Sequence, residues 1–338
     1  MVKVAINGFG RIGRAFLRLA IENRDIEIVA INDLADLENL AYLLRHDSAY
    51  GSFSHNVEVR GDKMVVGGKE IKFLSEREPA NLPWSDLNID VVVESTGFFA
   101  DYEKANAHIE AGAKKVVISS PVKDAPDGGV PGATVLMGVN SDRLATCDVS
   151  ANASCTTNAA SPVVSIMEEA LDIKKAILNT IHAVTATQGL VDGPSAKDFR
   201  KNRSGIVNII PTTTGAAEAT TKAVKGIEFF DGISVRVPVL VGSLVDITFI
   251  SGRDTSVEEV NDIFRKASKE ERWRGIFTVS EEPLVSSDIV GNTHASIIDL
   301  QMTKVVGGNL VKVLVWYDNE MGYTNTLVRH VLETAKNI

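Results

Sequence analysis

Cysteine is scarce in this sequence: Cys147 and Cys155 are the two among 338 residues. They show neither CxxC spacing nor a histidine at zinc-ligand distance, so the pattern supports neither a disulfide framework nor a metal site. Long apolar runs are missing too. No segment approaches the roughly 18 uncharged residues of a membrane span, and the start "MVKVAINGFG" lacks the basic, apolar, small-residue order of a signal peptide. These absences point to a cytoplasmic protein without a membrane partner. Positive charge is in deficit as well, with 35 Lys and Arg against 44 Asp and Glu, a formal net charge of −9 and a pI near 5.3. That balance argues against a specific nucleic-acid partner. The local basic cluster "DFRKNR" (198–203) suits one or two phosphate groups, or else a solvated loop. Internal repeats, low-complexity tracts and Pro/Gly/Ser-rich linkers are also absent. What remains, 44% hydrophobic and 23% charged residues over a length too great for one core, describes a folded chain of two domains.

The first half alternates strands with helices. "VKVAING" is an apolar strand, "GFGRIG" places glycines at Gly8, Gly10 and Gly13, and "RAFLRLAIENR" follows with helical spacing. The next strand, "IEIVAIND", ends at Asp33, about 20 residues beyond the last glycine, where a ribose-binding acid belongs in a dinucleotide fold. Gly8 permits the tight turn, Gly10 lets backbone N–H groups approach a pyrophosphate, and Gly13 lets helix and strand pack closely. Asp33 would accept from ribose hydroxyls and repel a 2′-phosphate, which selects NAD over NADP; read without that motif it is a turn residue. The strands "DVVVESTG" and "KKVVISSP" bring Ser95, Thr96, Gly97 and Ser119 to carboxyl ends, where ligands of a doubly wound parallel sheet lie.

The second half changes character. "AILNTIHAVT", "GISVRVP", "SLVDITFI", "IFTVS", "ASIIDLQMT" and "LVKVLVWYD" read as longer strands with alternating faces, hence a mostly antiparallel sheet in an α+β domain. The expected division is residues 1–151 with 318–338 in a Rossmann domain, and residues 152–317 in a catalytic domain. "SANASCTTNAASPVV" places Cys155 at the start of a helix running to about Leu171, where peptide dipoles and unpaired N–H groups favour thiolate. That helix and the returning strand to His182 have similar lengths, about 25 Å by their rises. His182 is thereby brought beside Cys155, ahead of His46, His55, His108, His294 and His330 as a base. No Asp or Asn is placed by the sequence to orient its ring.

The ordered motifs "INGFGRIGR", "ASCTTN", "TATQ", "VDGPS", "IIPTTTGAA", "VRVP" and "WYDNEMGY" resemble, over essentially the whole chain, the phosphorylating glyceraldehyde-3-phosphate dehydrogenases. The resemblance implies NAD-dependent oxidation of glyceraldehyde 3-phosphate with inorganic phosphate as acyl acceptor, through a hemithioacetal and a thioester on Cys155, with His182 as base. It implies an attacking-phosphate site at Ser154, Thr156, Thr214 and Gly215 and a substrate-phosphate site at Thr185 and Arg236. Arg11, Ile12, Asp33, Arg77 and Ser119 match cofactor contacts, and Asn319 with Tyr323 matches the pair that positions the nicotinamide. A homotetramer is implied, with 186–208 crossing to a neighbouring subunit's cofactor.

Three departures stand out: Ala159 where a second cysteine often follows the catalytic one, the segment "VPVLVGSLVD" (237–246), and Lys201 in place of a frequent arginine. A lysine there offers a point charge without the arginine fork. Two other readings stay open on the sequence: the sister activity on erythrose 4-phosphate, and a non-enzymatic NAD-binding interaction protein. A cysteine hydrolase leaves the dinucleotide half unexplained.

Overall fold

The computed structural model describes residues 1–122, 129–194 and 198–338, so Ser195 of "VDGPS" and the centre of the 186–208 stretch lie outside the described residues. The chain forms two compact units, Met1–Ser154 with Thr324–Ile338, and Cys155–Tyr323. The divisions fall at 154/155 and 323/324, where the sequence reading set them at 151/152 and 317/318.

In the discontinuous unit, a nine-stranded sheet has the order Gly132–Thr134, Val149–Ala151, Lys115–Ile118, Val91–Glu94, Val2–Asn7, Ile26–Asn32, Lys69–Leu74, Lys63–Val66, Val57–Arg60. The strands run parallel up to Lys69–Leu74, and the last two pair antiparallel. Strand alternation sends Val4, Ile6, Val91 and Val93 to one core with Phe16, Leu17, Leu327 and Val331. It sends Ala5, Val92, Val116 and Ile118 to the other. Both faces are therefore covered, which is why these strands are near-continuous apolar runs. The C-terminal helix Met321–Ala335 supplies Leu327, Val328 and Val331 to the first core. Its His330, fully buried, bonds Ser150 Oγ at 2.8 Å and Asn152 Oδ1 at 3.0 Å.

The helix Arg11–Ala20 follows the glycine turn, with Gly10 as an N-cap that offers no side-chain acceptor. Its first backbone N–H groups are thus left to another acceptor. Two of the three glycines are required, Gly8 by conformation and by contact, and Gly13 by contact alone. Gly8 has φ +94°, and a Cβ on Gly13 would lie 2.2 Å from the Gly8 carbonyl oxygen.

The contiguous unit carries a seven-stranded sheet ordered Ile210–Thr213, Phe230–Arg236, Ile173–His182, Ser243–Ser251, Leu310–Tyr317, Ser296–Val306, Phe277–Ser280. It is mostly antiparallel; Ile173–His182 with Phe230–Arg236, and Phe277–Ser280 with Ser296–Val306, pair parallel. The helix Cys155–Leu171 is buried along nearly its whole length and contains Pro162. A helix-interior proline costs about 3 kcal/mol. Burial of Val163, Val164, Ile166 and Met167, at roughly 1.5–3 kcal/mol each, outweighs that cost. One residue, Asp172 at φ +56°, joins this helix to the strand that returns to His182.

Gly13→Ala sets a helix-propensity gain of up to about 1 kcal/mol against a collision with backbone. Because the obstructing atom is the Gly8 carbonyl, which cannot rotate away, the collision should win and the variant lose about 1–3 kcal/mol in denaturant unfolding. A variant as stable as the parent would contradict the close approach.

Candidate active site

In the contiguous unit, the helix start and the strand end meet as their lengths require: Cys155 Sγ lies 3.3 Å from His182 Nε2. The imidazole is oriented by its own neighbour. His182 Nδ1–H donates to the Ala183 carbonyl at 2.7 Å, which leaves Nε2 as the acceptor facing the thiol. The orienting group that the sequence did not show is therefore a backbone carbonyl. Strand register places Arg236 directly beside His182, and Arg236 Nη1 donates to the same carbonyl at 3.1 Å while lying against Nδ1. Two donors converge on one acceptor there.

The electrostatics differ from the expected thiolate. Burial pushes the Cys155 thiol up, while Arg236, the Thr156 N–H and the Thr156 hydroxyl pull it down without overcoming burial. His182 is pushed down to about 4, by burial first and by the Arg236 charge second. Arg236 thus acts with opposite sign on the two partners, favouring thiolate and disfavouring imidazolium. The helix start therefore does not act alone on the sulfur: burial, the larger effect, raises the thiol, while Arg236 and the helix-start groups lower it.

Behind the pair sits a residue the sequence reading missed. Tyr317, fully buried, exchanges hydrogen bonds with Thr156 and Thr180 hydroxyls at 2.9 Å each, and its ring meets His182 edge-on. Burial raises its phenol further above the usual range, and the nearby Cys155 adds to the effect. Asn319 Oδ1 accepts from Gly242 N–H at 3.2 Å and Ser243 Oγ at 3.0 Å, and Tyr323 is buried. Ser243 Oγ in turn accepts from Ala183 N–H at 3.1 Å, so the unusual 237–246 segment supports the histidine's backbone.

In the other unit, a cleft of about 470 Å³ opens at the carboxyl ends of the strands. Of the expected residues it brings together Gly8, Gly10, Asp33, Arg77, Ser95 and Thr96, and it adds Asn7, Asn32, Phe98 and Phe99. Asp33 is fixed by Phe9 N–H at 2.7 Å and Ala35 N–H at 2.9 Å. Gly97, at φ +77°, and Ser119 follow the strand ends without lining this cleft. Arg11 directs its guanidinium to Asp47 at 3.0 Å, and Ile12 packs on the core, so neither side chain lines the cleft.

Two family models match the chain. One is described as the glyceraldehyde 3-phosphate dehydrogenase NAD binding domain, over residues 2–102, and the other as its C-terminal domain, over 154–319. Glyceraldehyde-3-phosphate dehydrogenase 2 of Streptomyces avermitilis is 46% identical over 331 residues, covering 97% of this chain and 96% of that protein. The Thermotoga maritima enzyme is 47% identical over 332 residues, covering 97% of each, and enzyme B of Aspergillus oryzae is 41% identical over 328 residues, covering 96% of each. The chain belongs to the glyceraldehyde 3-phosphate dehydrogenase family.

NAD is the family's cofactor, and the residues present fit it. A Cβ on Gly8 would lie 2.6 Å from Thr96 N, whereas Gly10 faces open space, as a turn that admits a phosphate must. The residues expected at the two phosphate sites are placed as follows. Thr214 Oγ1 accepts from Ala216 N–H at 3.2 Å where the helix Ala216–Ala223 begins, with Gly215 as its N-cap. Thr185 bonds Thr187 at 2.9 Å, and its N–H donates to Gln188 Oε1 at 3.3 Å. Ser154 ends the unit before Cys155, Lys201 lies in the short turn Phe199–Asn202, and Ala159 is fully buried.

With a raised thiol and a neutral base, Cys155 should be alkylated through proton removal by His182. That assistance should be present above pH 4 or so and disappear as pH falls through about 4, where the imidazole charges. In His182→Asn the rate with iodoacetamide near neutrality should drop at least about ten-fold. An unchanged rate across pH would separate the histidine from the thiol.

Proposed function

We propose that this dehydrogenase oxidises glyceraldehyde 3-phosphate to the acyl phosphate 1,3-bisphosphoglycerate on Cys155, with NAD in the glycine-lined cleft and inorganic phosphate as the acyl acceptor. The observation that carries the reading is the Cys155 Sγ to His182 Nε2 contact of 3.3 Å, with Nδ1 locked on Ala183 O. Gly8, Gly10, Asp33, Arg77, Ser95 and Thr96 would hold the cofactor, with Gly13, Arg11 and Ile12 at the helix start behind them. When bound, NAD supplies the acceptance of a hydride.

The chain's own groups do the rest. His182 Nε2 takes the thiol proton as Cys155 Sγ bonds to the aldehyde carbon, and returns it to the new alkoxide, leaving a neutral hemithioacetal. As that carbon is oxidised to the thioester, Nε2 takes the hydroxyl proton. Burial and Arg236 both disfavour the resulting imidazolium, so the proton is held weakly and passes readily to the departing thiolate. Hydrogen phosphate attacks the thioester, the C–S bond breaks, and the acyl phosphate leaves after losing its own proton to solvent. Ser154, Thr156, Thr214 and Gly215 are assigned to the attacking phosphate, and Thr185 with Arg236 to the substrate phosphate. Asn319 and Tyr323 are assigned to the nicotinamide end.

A cytoplasmic homotetramer completes the proposal. Exposed apolar side chains at Val191, Phe199 and Val207, in the described part of the 186–208 stretch, suit a subunit contact. Among the described residues, no helix is long and apolar enough to cross a membrane.

Cys155→Ser should abolish NADH formation while NAD binding survives, since a serine hydroxyl is far harder to ionise than a thiol. In phosphate-free buffer the parent should give a burst of NADH equal to its sites and then stall as the thioester accumulates. Sustained turnover to a free acid would defeat the phosphorylating assignment. Asp33→Ala should shift preference toward NADP by removing a charge that repels the 2′-phosphate. A parent enzyme that already uses both cofactors equally would remove the role given to Asp33.

A further inference from the structure

Glu94 ends the strand Val91–Glu94, is only 2% exposed, and has no part in the chemistry above. Its two oxygens accept four hydrogen bonds. Oε2 takes Asn7 Nδ2 at 2.5 Å and His108 Nε2 at 3.1 Å, while Oε1 takes the Thr96 N–H at 2.8 Å and the Thr96 hydroxyl. None of these donors is a lysine or arginine. His108 is itself directed: Nδ1 accepts from Trp84 Nε1–H at 3.0 Å, which places its ring proton on Nε2, toward Glu94.

The four donors belong to the walls of the cofactor cleft or brace them. Asn7, held by Glu94, accepts on Oδ1 from Asn32 Nδ2 at 2.7 Å, and Asn32 clasps the backbone of Glu76 in both directions at 2.8 Å. On the other side, Thr96 N is the atom a Gly8 Cβ would meet, and Ser95 Oγ donates to the Gly8 carbonyl at 2.6 Å. Asn7, Gly8, Asn32, Glu76, Ser95 and Thr96 all line the cleft. A buried carboxyl persists only where its lone pairs are filled, and here filling them ties the end of one strand to the turn after the next.

We propose that Glu94, aimed by His108 and Trp84, is the positioning residue of the cofactor cleft: through Asn7 and Thr96 it sets the spacing between the glycine turn and residues 95–99, and so the affinity for the dinucleotide. This rests on the assignment of NAD to that cleft. Removing the double acceptor puts an amide N–H against donors, loosens Asn7 and Thr96, and widens the site without touching the thiol.

The full-length variant Glu94→Gln tests it. Calorimetric titration should show Kd for NAD raised about ten-fold. In the NAD-free protein, amide exchange at residues 7–10 and 94–97 should quicken, while iodoacetamide alkylation of Cys155 stays at the parent rate. His108→Gln, able to accept from Trp84 and donate to Glu94, should keep the parent Kd, and His108→Phe should reproduce Glu94→Gln; this pair carries the test if the glutamate variant does not fold. Unchanged Kd and exchange in Glu94→Gln and His108→Phe would overturn the proposal, as would a loss shared equally by NAD binding and Cys155 alkylation. Gly8→Val separates the two assignments: if it retains NAD affinity, the cleft assignment fails and this proposal with it. If it loses binding while Glu94→Gln does not, only the positioning role fails.

Discussion

The geometry of the reactive pair depends on a connection one residue long. The helix that begins at Cys155 and the strand that ends at His182 are joined at Asp172 alone, in a left-handed conformation uncommon for a non-glycine residue. So short a link allows the chain only to double back, which returns the strand's far end to the helix's beginning. The turn is held on both sides: Asp172 N–H donates to the Glu168 carbonyl at 3.0 Å, and Glu168 Oε2 accepts from Ile173 N–H at 2.7 Å. Gly252 lies so close that a Cβ there would come within 2.8 Å of Asp172 Oδ2. Both the base and the guanidinium beside it, through the register of His182 with Arg236, follow from this reversal.

Once the pair is formed, two effects of opposite sign compete on the sulfur. Withdrawal from water opposes charge there, while Arg236, the Thr156 N–H and the Thr156 hydroxyl draw charge onto the sulfur. Water withdrawal is the larger of the two, which leaves removal of the thiol proton to the histidine beside it. Proton transfer over 3.3 Å is uphill at rest, with the thiol raised and the imidazole at about 4, but it needs no reorientation, because Nε2 already faces the thiol and its tautomer is set by a carbonyl that cannot rotate.

Local features of this design were readable from the sequence. The helix from Cys155 to Leu171 was read with its observed ends, because a run of small hydroxylated residues before an apolar stretch marks a helix start. The beginning of the strand is read late, at Ala176 instead of Ile173, since the two lysines after Ile173 interrupt the apolar pattern there. The glycine turn is legible from spacing, as are Gly8, Gly10, Asp33, Ser95 and Thr96 as neighbours in one cleft, whereas Arg77 comes from the family resemblance alone. Buried polar bonds between distant positions were not legible. Asn7 meets Glu94 across 87 positions and Thr156 meets Tyr317 across 161, and neither partner carries a local mark of the other. The Ala183 carbonyl was invisible for a different reason: every residue has one, and only the fold decides which is used.

The C-terminal helix carries a further implication for how the protein is made. Its Leu327, Val328 and Val331 belong to the same core as Val4 and Ile6, and its His330 closes on Ser150 and Asn152. A chain emerging from the ribosome therefore presents the first 154 residues long before their core can be completed. Cys155–Tyr323, by contrast, is continuous and holds all its strands by the time residue 323 has appeared. The unit synthesised first is thus the one that finishes last, and its apolar sheet face spends most of translation waiting for a helix, the interval in which a chaperone has something to cover.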